Sequence, residues 1–255
     1  MIQQFTLVVI ALLLVACGGA QTSNPTAYPY QINTELMEQT EISSVVIAHV
    51  NLGGTSRKYL QVHEARIDKM VERYLEEQGI KVEPSREFEQ LWKKAVRVYG
   101  NPIDPTSGKI NQKTFALIII NVRDELRKSS KVDAFVFTDL IEQQVAFSGG
   151  LKHLARWDGV SRKPTLQGPG DGVSADFNWN RQAKAVSLRV SIYDMELKAL
   201  FSSMGGLDTT EAIDTRSSSG KFVRRRSILE NESHLEEGIE LAFHPFIVMK
   251  DYPTP

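Results

Sequence analysis

The residues able to do chemistry are scattered along the chain rather than gathered in one motif. Five histidines come first, His49, His63, His153, His234 and His244, because imidazole serves both metal binding and proton transfer. His63-Glu64 begins like a zinc-protease helix, but Ile67 stands where the second histidine would have to be. No other pair has zinc spacing. Asp158 and Asp176 flank the run Gly168-Pro169-Gly170-Asp171-Gly172, which holds Asp171, yet the alternating oxygen ligands of a calcium loop are missing. The same glycines lack the Lys-Ser/Thr ending of a phosphate cradle and follow no strand that opens into a helix, so they read as a loop. Serines lie beside glycine at Ser148-Gly149-Gly150 and from Ser217 to Gly220, without the Gly-x-Ser-x-Gly elbow of a hydrolase. This pattern predicts no catalytic centre, no metal site and no cofactor.

Residues suited to binding are easier to find. Arg224-Arg225-Arg226 is the densest basic cluster, able to meet phosphate or an acidic partner, or else to guard a solvated sheet edge. Trp157, Phe177 and Trp179 lie close together in sequence and could form a protein- or carbohydrate-binding surface. Packing onto a sheet is the stronger expectation for them, because large aromatics dominate core energetics. These six residues are the candidate binding surface.

The chain has 255 residues, with 30 Lys+Arg against 31 Asp+Glu, a balance that offers nothing to nucleic acid. From Phe5 to Ala16 it is uninterruptedly apolar or small, too short to span a bilayer that needs about 20 residues, so the run reads as a signal segment. It ends in Leu14-Val15-Ala16-Cys17, which resembles the lipobox of bacterial lipoproteins, where the cysteine is acylated and becomes the mature amino terminus. Cys17 is the only cysteine in the chain. The resemblance implies a signal peptide over residues 1–16 and a membrane anchor at Cys17, and Gly18 rather than Asp after it points to the outer membrane, facing the periplasm. No second apolar span follows.

These residues need elements to position them. Residues 17–41 are polar, carry Pro25 and Pro29, and are expected to form a tether. A single α/β (α+β) domain is expected over residues 42–250. Ser43–Val50 reads as a buried strand, and Ile67, Met70, Val71, Tyr74 and Leu75 form the apolar stripe of a helix closed by Gly79. Ile80–Glu83 is a short strand, Ser85 opens a second helix, and Asn111 opens a third that runs to about Lys128. Asp133–Leu140 and Gln144–Ser148 read as two strands across a short connection. Ala183–Asp194 alternates into a long strand that turns near Asp194 and returns through Glu196–Ser203, with Thr209–Thr215 extending the return. Leu151–Asn180 reads as a loop excursion, and Ser233–Glu236 as the capping box of a last helix stopped by Pro245.

The order of elements, a mixed sheet with helices packed against it and a long β-hairpin in the second half, resembles the TolB amino-terminal/CsgG/LpoB-like domains. Two segments carry the resemblance, Lys131–Thr138 as the polar-to-aromatic strand and Val186–Ser203 as the arginine-bearing hairpin with its Asp-centred turn. It implies a non-enzymatic envelope lipoprotein that binds proteins during secretion, cell-wall or surface-structure assembly. Its partners would be the membrane, through the anchor, and envelope proteins that include peptidoglycan-associated or secretion components; self-association is left open. The alternative is an envelope hydrolase acting on glycan or ester substrates, with a site beside the excursion.

Overall fold

The computed structural model describes residues 29–48, 55–104, 106–107, 109–147, 153–170, 172–216 and 220–249. Cys17, the signal segment, His49, Ser148–Gly150, Asp171 and residues 217–219 lie outside them. In chain order the elements are β1 (Tyr30–Ile32), α1 (Thr34–Gln39), β2 (Ser44–Ala48), a 3-10 turn (Thr55–Leu60), α2 (Gln61–Glu77), β3 (Lys81–Glu83), α3 (Ser85–Tyr99), α4 (Gln112–Ser129) and β4 (Ala134–Ala146). There follow β5 (Ala155–Trp157), β6 (Val160–Arg162), β7 (Leu166–Gln167), β8 (Gln182–Asp194), β9 (Ala199–Thr209), β10 (Glu211–Asp214), β11 (Phe222–Arg224) and α5 (Glu232–Phe243).

Six strands form one mixed sheet in the order β1-β9-β8-β4-β2-β3, parallel where β2 meets β3 and β4 and antiparallel elsewhere. Smaller sheets are β11-β10-β7 and the β5-β6 hairpin. All five residues of β2 are buried, as a parallel strand covered on both faces requires. Its alternation sorts the layers. Val45 and Ile47 join Val136, Leu188 and Ile192 in a core beneath α2 and α5. Val46 and Ala48 face Phe135 and the apolar sides of α3 and α4.

Local chemistry sets the helix ends. Gly79 takes φ +82° after α2, where glycine pays no steric cost, and its N–H donates to the Glu76 carbonyl at 2.9 Å. Asn111 accepts from the Thr114 N–H and caps α4. The cap of α5 is Asn231, which accepts from the His234 N–H, so the helix starts before the expected capping box at Ser233.

The remaining differences also have physical causes. Residues 133–148 do not form two strands: β4 is continuous and pairs with β8 from Ala134↔Asp194 to Ala146↔Gln182. Gln143, in the expected connection, and the neighbouring strand residues Thr138 and Asp139 find partners on β8 and α2. Thr138 donates to Asp68 at 2.7 Å, Asp139 pairs with Arg189 at 2.8 Å and Gln143 donates to Ser187 at 2.8 Å. Residues 30–39 are not tether, because β1 pairs with β9 and α1 packs Leu36 and Met37 on the core. The return strand ends at Thr209, and Glu211–Asp214 crosses into the small sheet. The excursion is folded around the β5-β6 hairpin, whose Asp158-Gly159 turn has φ of +40° and +83°.

Helix α5 crosses β9 at its glycines. A Cβ on Gly205 would lie 1.9 Å from the Gly238 carbonyl oxygen and 2.7 Å from the Ala242 nitrogen. Backbone on both sides leaves nothing soft to yield. Gly205→Ala is therefore expected to destabilise the fold by at least about 2 kcal/mol, measured as a lowered urea midpoint, whereas Gly172→Ala, with open space around it, should leave that midpoint unchanged.

Candidate functional site

The six residues of the candidate surface do not share one face, and the aromatics among them pack onto the sheet, the stronger expectation for them. Trp157 is 6% exposed and Phe177 4% exposed. Trp179 is half-buried, stacked on His153 with centroids 3.5 Å apart and set edge-on to Phe177 at 4.8 Å. With Phe147 and Phe222 these rings pack the excursion against the sheet, so the aromatics are internal. The three arginines diverge because neighbouring residues along an extended chain point to opposite sides. Arg224 lies with its guanidinium carbon 3.8 Å over the Tyr59 ring, Arg225 turns inward to Asp208 at 2.7 Å, and Arg226 is exposed.

A groove lies instead where α4 stops covering the sheet. The helices α3 and α4 shield β2 and the first part of β4, and the next strands on that face carry polar side chains. At the border is a cavity of about 450 Å³. Phe115, Ala116 and Ile119 of α4 form one wall, and Phe137, Tyr193 and Leu197 continue the apolar lining. Phe137 and Tyr193 meet edge to face at 5.6 Å. Polar groups lie in the floor: the Asp139–Arg189 pair at 2.8 Å and the hydroxyls of Ser191 and Ser202, 3.1 Å apart. An apolar cavity with a few convergent polar groups suits an aliphatic or aromatic anchor carrying one hydrogen-bonding end. The two serines bond to each other rather than to a base, so neither is set up as a nucleophile. The Ser191-x-Tyr193 side of β8 was visible in the alternation; the wall supplied by α4 was not.

Two polar clusters lie on the opposite face. Tyr59 donates to Glu142, which also pairs with Lys184 at 2.9 Å. Burial, together with the Glu142 carboxylate, pushes the Tyr59 phenol up to about 12. Burial acts to raise Glu142, but hydrogen bonds from Lys184 and Tyr59 outweigh it and hold the carboxyl below its usual value. Tyrosine therefore stays a neutral donor and glutamate an ionised acceptor, a latch tying the 3-10 turn to β4 and β8. In the second cluster Arg225 donates to Asp208 and to the Thr209 carbonyl, both at 2.7 Å. His234 approaches Asp208 at 3.8 Å, and Arg162 pairs with Glu237 at 2.7 Å. Burial and the nearby Arg162 lower the His234 pKa, while Asp208 and Glu237 act to raise it.

The other candidates stay apart. His63 is on α2 and His153 in the excursion, while His234 and His244 sit at opposite ends of α5. A cleft of about 580 Å³ between α2 and the start of α3 is lined by Glu64, Asp68, Glu72, Glu83 and Glu89, with Lys69 and Arg86 among them. Among the described residues no group of three histidine, cysteine or acidic side chains is placed to hold a metal ion. No helix among them is long and apolar enough to cross a membrane. No protein-family model, no curated protein and no solved structure matches the chain.

One outcome follows from the second cluster and one from the histidines. Asp208→Asn strips the charge partner from a largely buried Arg225 and is expected to cost about 2 kcal/mol of stability, read by chemical denaturation. Burial lowers the pKa of His63, His234 and His244 below 6.5 in the folded chain, so the unfolded chain binds protons more readily. Their contribution to stability is full above about pH 6.5 and declines as pH falls through and below that value. Urea midpoints at about pH 7 and pH 5 should show the decline, and His234→Gln should make it shallower.

Proposed function

We propose that this protein is a non-enzymatic, lipid-anchored factor of the bacterial outer membrane that binds envelope proteins through the groove between α4 and β8, on a TolB amino-terminal/CsgG/LpoB-like domain. The groove is the observation that carries the reading. It pairs an apolar wall from Phe115, Ile119 and Phe137 with the Asp139–Arg189 pair and two hydroxyls, the composition that seats an anchor side chain and orients it. The mixed sheet, the turn in which Asp194 accepts from Glu196 and Lys198, and the return strand β9 agree with the domain resemblance. The process it would serve is secretion, cell-wall regulation or surface-structure assembly. The anchor is read from the lipobox at Cys17, in sequence alone.

A photo-crosslinking side chain in place of Ala116, in the full chain and in intact envelopes, is expected to capture a protein in an adduct of discrete mass. Leu197→Arg should abolish the adduct. Capture no stronger than from position Glu72, on the opposite face, would count against the groove. For the anchor, Cys17→Ser should remain an unprocessed precursor that takes up no labelled fatty acid, and normal acylation of it would sink that part of the reading.

A further inference from the structure

The chain is nearly neutral, but its charge is divided across the sheet. Between Ser85 and Lys131, the layer of α3 and α4, stand ten Lys and Arg against five Asp and Glu. On the other face α5 carries Glu232, Glu236, Glu237 and Glu240 with no Lys or Arg, α1 carries Glu35 and Glu38 with none, and α2 is also acidic on balance. The cationic layer is studded with exposed aliphatic side chains, Val98 at 69%, Leu117 at 43% and Ile120 at 39%. Part of its charge is answered locally, by Glu89 for Lys93, Asp124 for Arg123, Glu196 for Arg127 and Glu125 for Lys128. Lys94, Arg97, Lys109, Lys113 and Lys131 are exposed and enter none of the ion pairs among the described residues.

We infer that the outer face of α3 and α4 is a membrane-contact surface for anionic lipid headgroups. Three features favour lipid over a protein partner. Lysine dominates the unanswered charge, and lysine is depleted from the cores of protein interfaces, where aromatic residues and arginine are enriched. The aliphatic residues stand singly between cations, the arrangement in which lysine stems spread over the headgroup layer while short apolar side chains dip beneath it. The cations outside these ion pairs are spread over α3, the loop after it, α4 and the segment that follows α4, matching a fluid array of phosphates better than a single carboxylate cluster. The acidic face opposite is repelled by the same lipids, so the charge division also sets an orientation.

The geometry allows contact from an anchored position. The residues between Cys17 and Tyr30 can span at most roughly 45 Å when fully extended. From β1 to β4, beside which α4 packs, is three strand spacings, about 14 Å. This inference rests on the anchored reading only for the route to the membrane; the contact itself rests on α3 and α4.

The test is lysine-acylation footprinting of the full chain, read by mass spectrometry, with phosphatidylcholine vesicles that contain or lack phosphatidylglycerol. Modification of Lys94, Lys109 and Lys113 is expected to slow several-fold with the anionic vesicles only, while Lys69 on α2 and Lys163 in the excursion react as before. Protection should vanish in about 1 M salt, where the Debye length is about 3 Å. Neutralising Lys94, Arg97 and Lys113 together to Gln should lower the partition ratio between anionic and zwitterionic vesicles by about a hundredfold. Absence of protection, equal protection of Lys69, or protection that appears only when envelope proteins are added overturns the inference. Flotation with purely zwitterionic vesicles reports the anchor separately, so failure of the anchor and failure of this surface give different results.

Discussion

Thirteen consecutive residues of β4 face thirteen of β8, and the rest of the molecule depends on that ladder. The first four residues of β4 also pair with β2, so one strand joins the parallel, helix-covered half of the sheet to the antiparallel half. A slip of one residue would exchange the faces of Phe135 and Val136 and expose both cores at once. Cross-strand charge holds the register as well as apolar packing does. Asp139 is directly opposite Arg189, and Glu142 reaches Lys184 on the diagonal.

Close approach at the far end of the hairpin has a similar role. Gly205 and Gly206 leave β9 bare on both faces, so that α5 lies against one side and the Trp157-Asp158 turn against the other. The Gly206 N–H donates to the Asp158 carbonyl at 2.9 Å, and Ser187 donates to the Asp158 carboxylate at 2.6 Å. The cluster of buried Asp208 and Arg162 with the partly exposed Arg225, His234 and Glu237 then joins β9, the segment after β11, β6 and α5. Such pairs specify an arrangement more than they add net stability, because desolvation offsets much of their Coulomb gain. The excursion is thereby fixed to the sheet, and its aromatics become core.

The proposed binding role and the proposed membrane contact use the same side of the sheet for different reasons. Where α4 ends its coverage, an apolar wall meets polar strands and leaves the groove. On the outside of the same helices the side chains are cationic and aliphatic. A domain lying on α3 and α4 would hold the groove close to the bilayer, within reach of partners anchored beside it.

Much of the architecture was legible in the residues. The stripe Ile67, Met70, Val71 and Leu75, the glycine at position 79 and the alternation from Val186 to Ile192 are local signals, and local signals survive into the fold because backbone geometry enforces their periods. The run ending at Cys17 resembles a lipobox in sequence alone, since Cys17 lies outside the described residues. What only tertiary structure decided was the meaning of polar and aromatic residues. Gln143 stood in an expected connection until its partner on β8 was in place, and Ile32, Leu36 and Met37 were too few to mark residues 30–39 as structured. For Trp157 and Phe177 the sequence left surface and core both open, with core the stronger expectation, and the sheet they cover decided for core. The groove joins α4 to β8, and the charge division joins helices far apart in sequence. A pattern confined to one segment can be read from that segment; a site made by two faces meeting exists only once long-range pairing has brought them together.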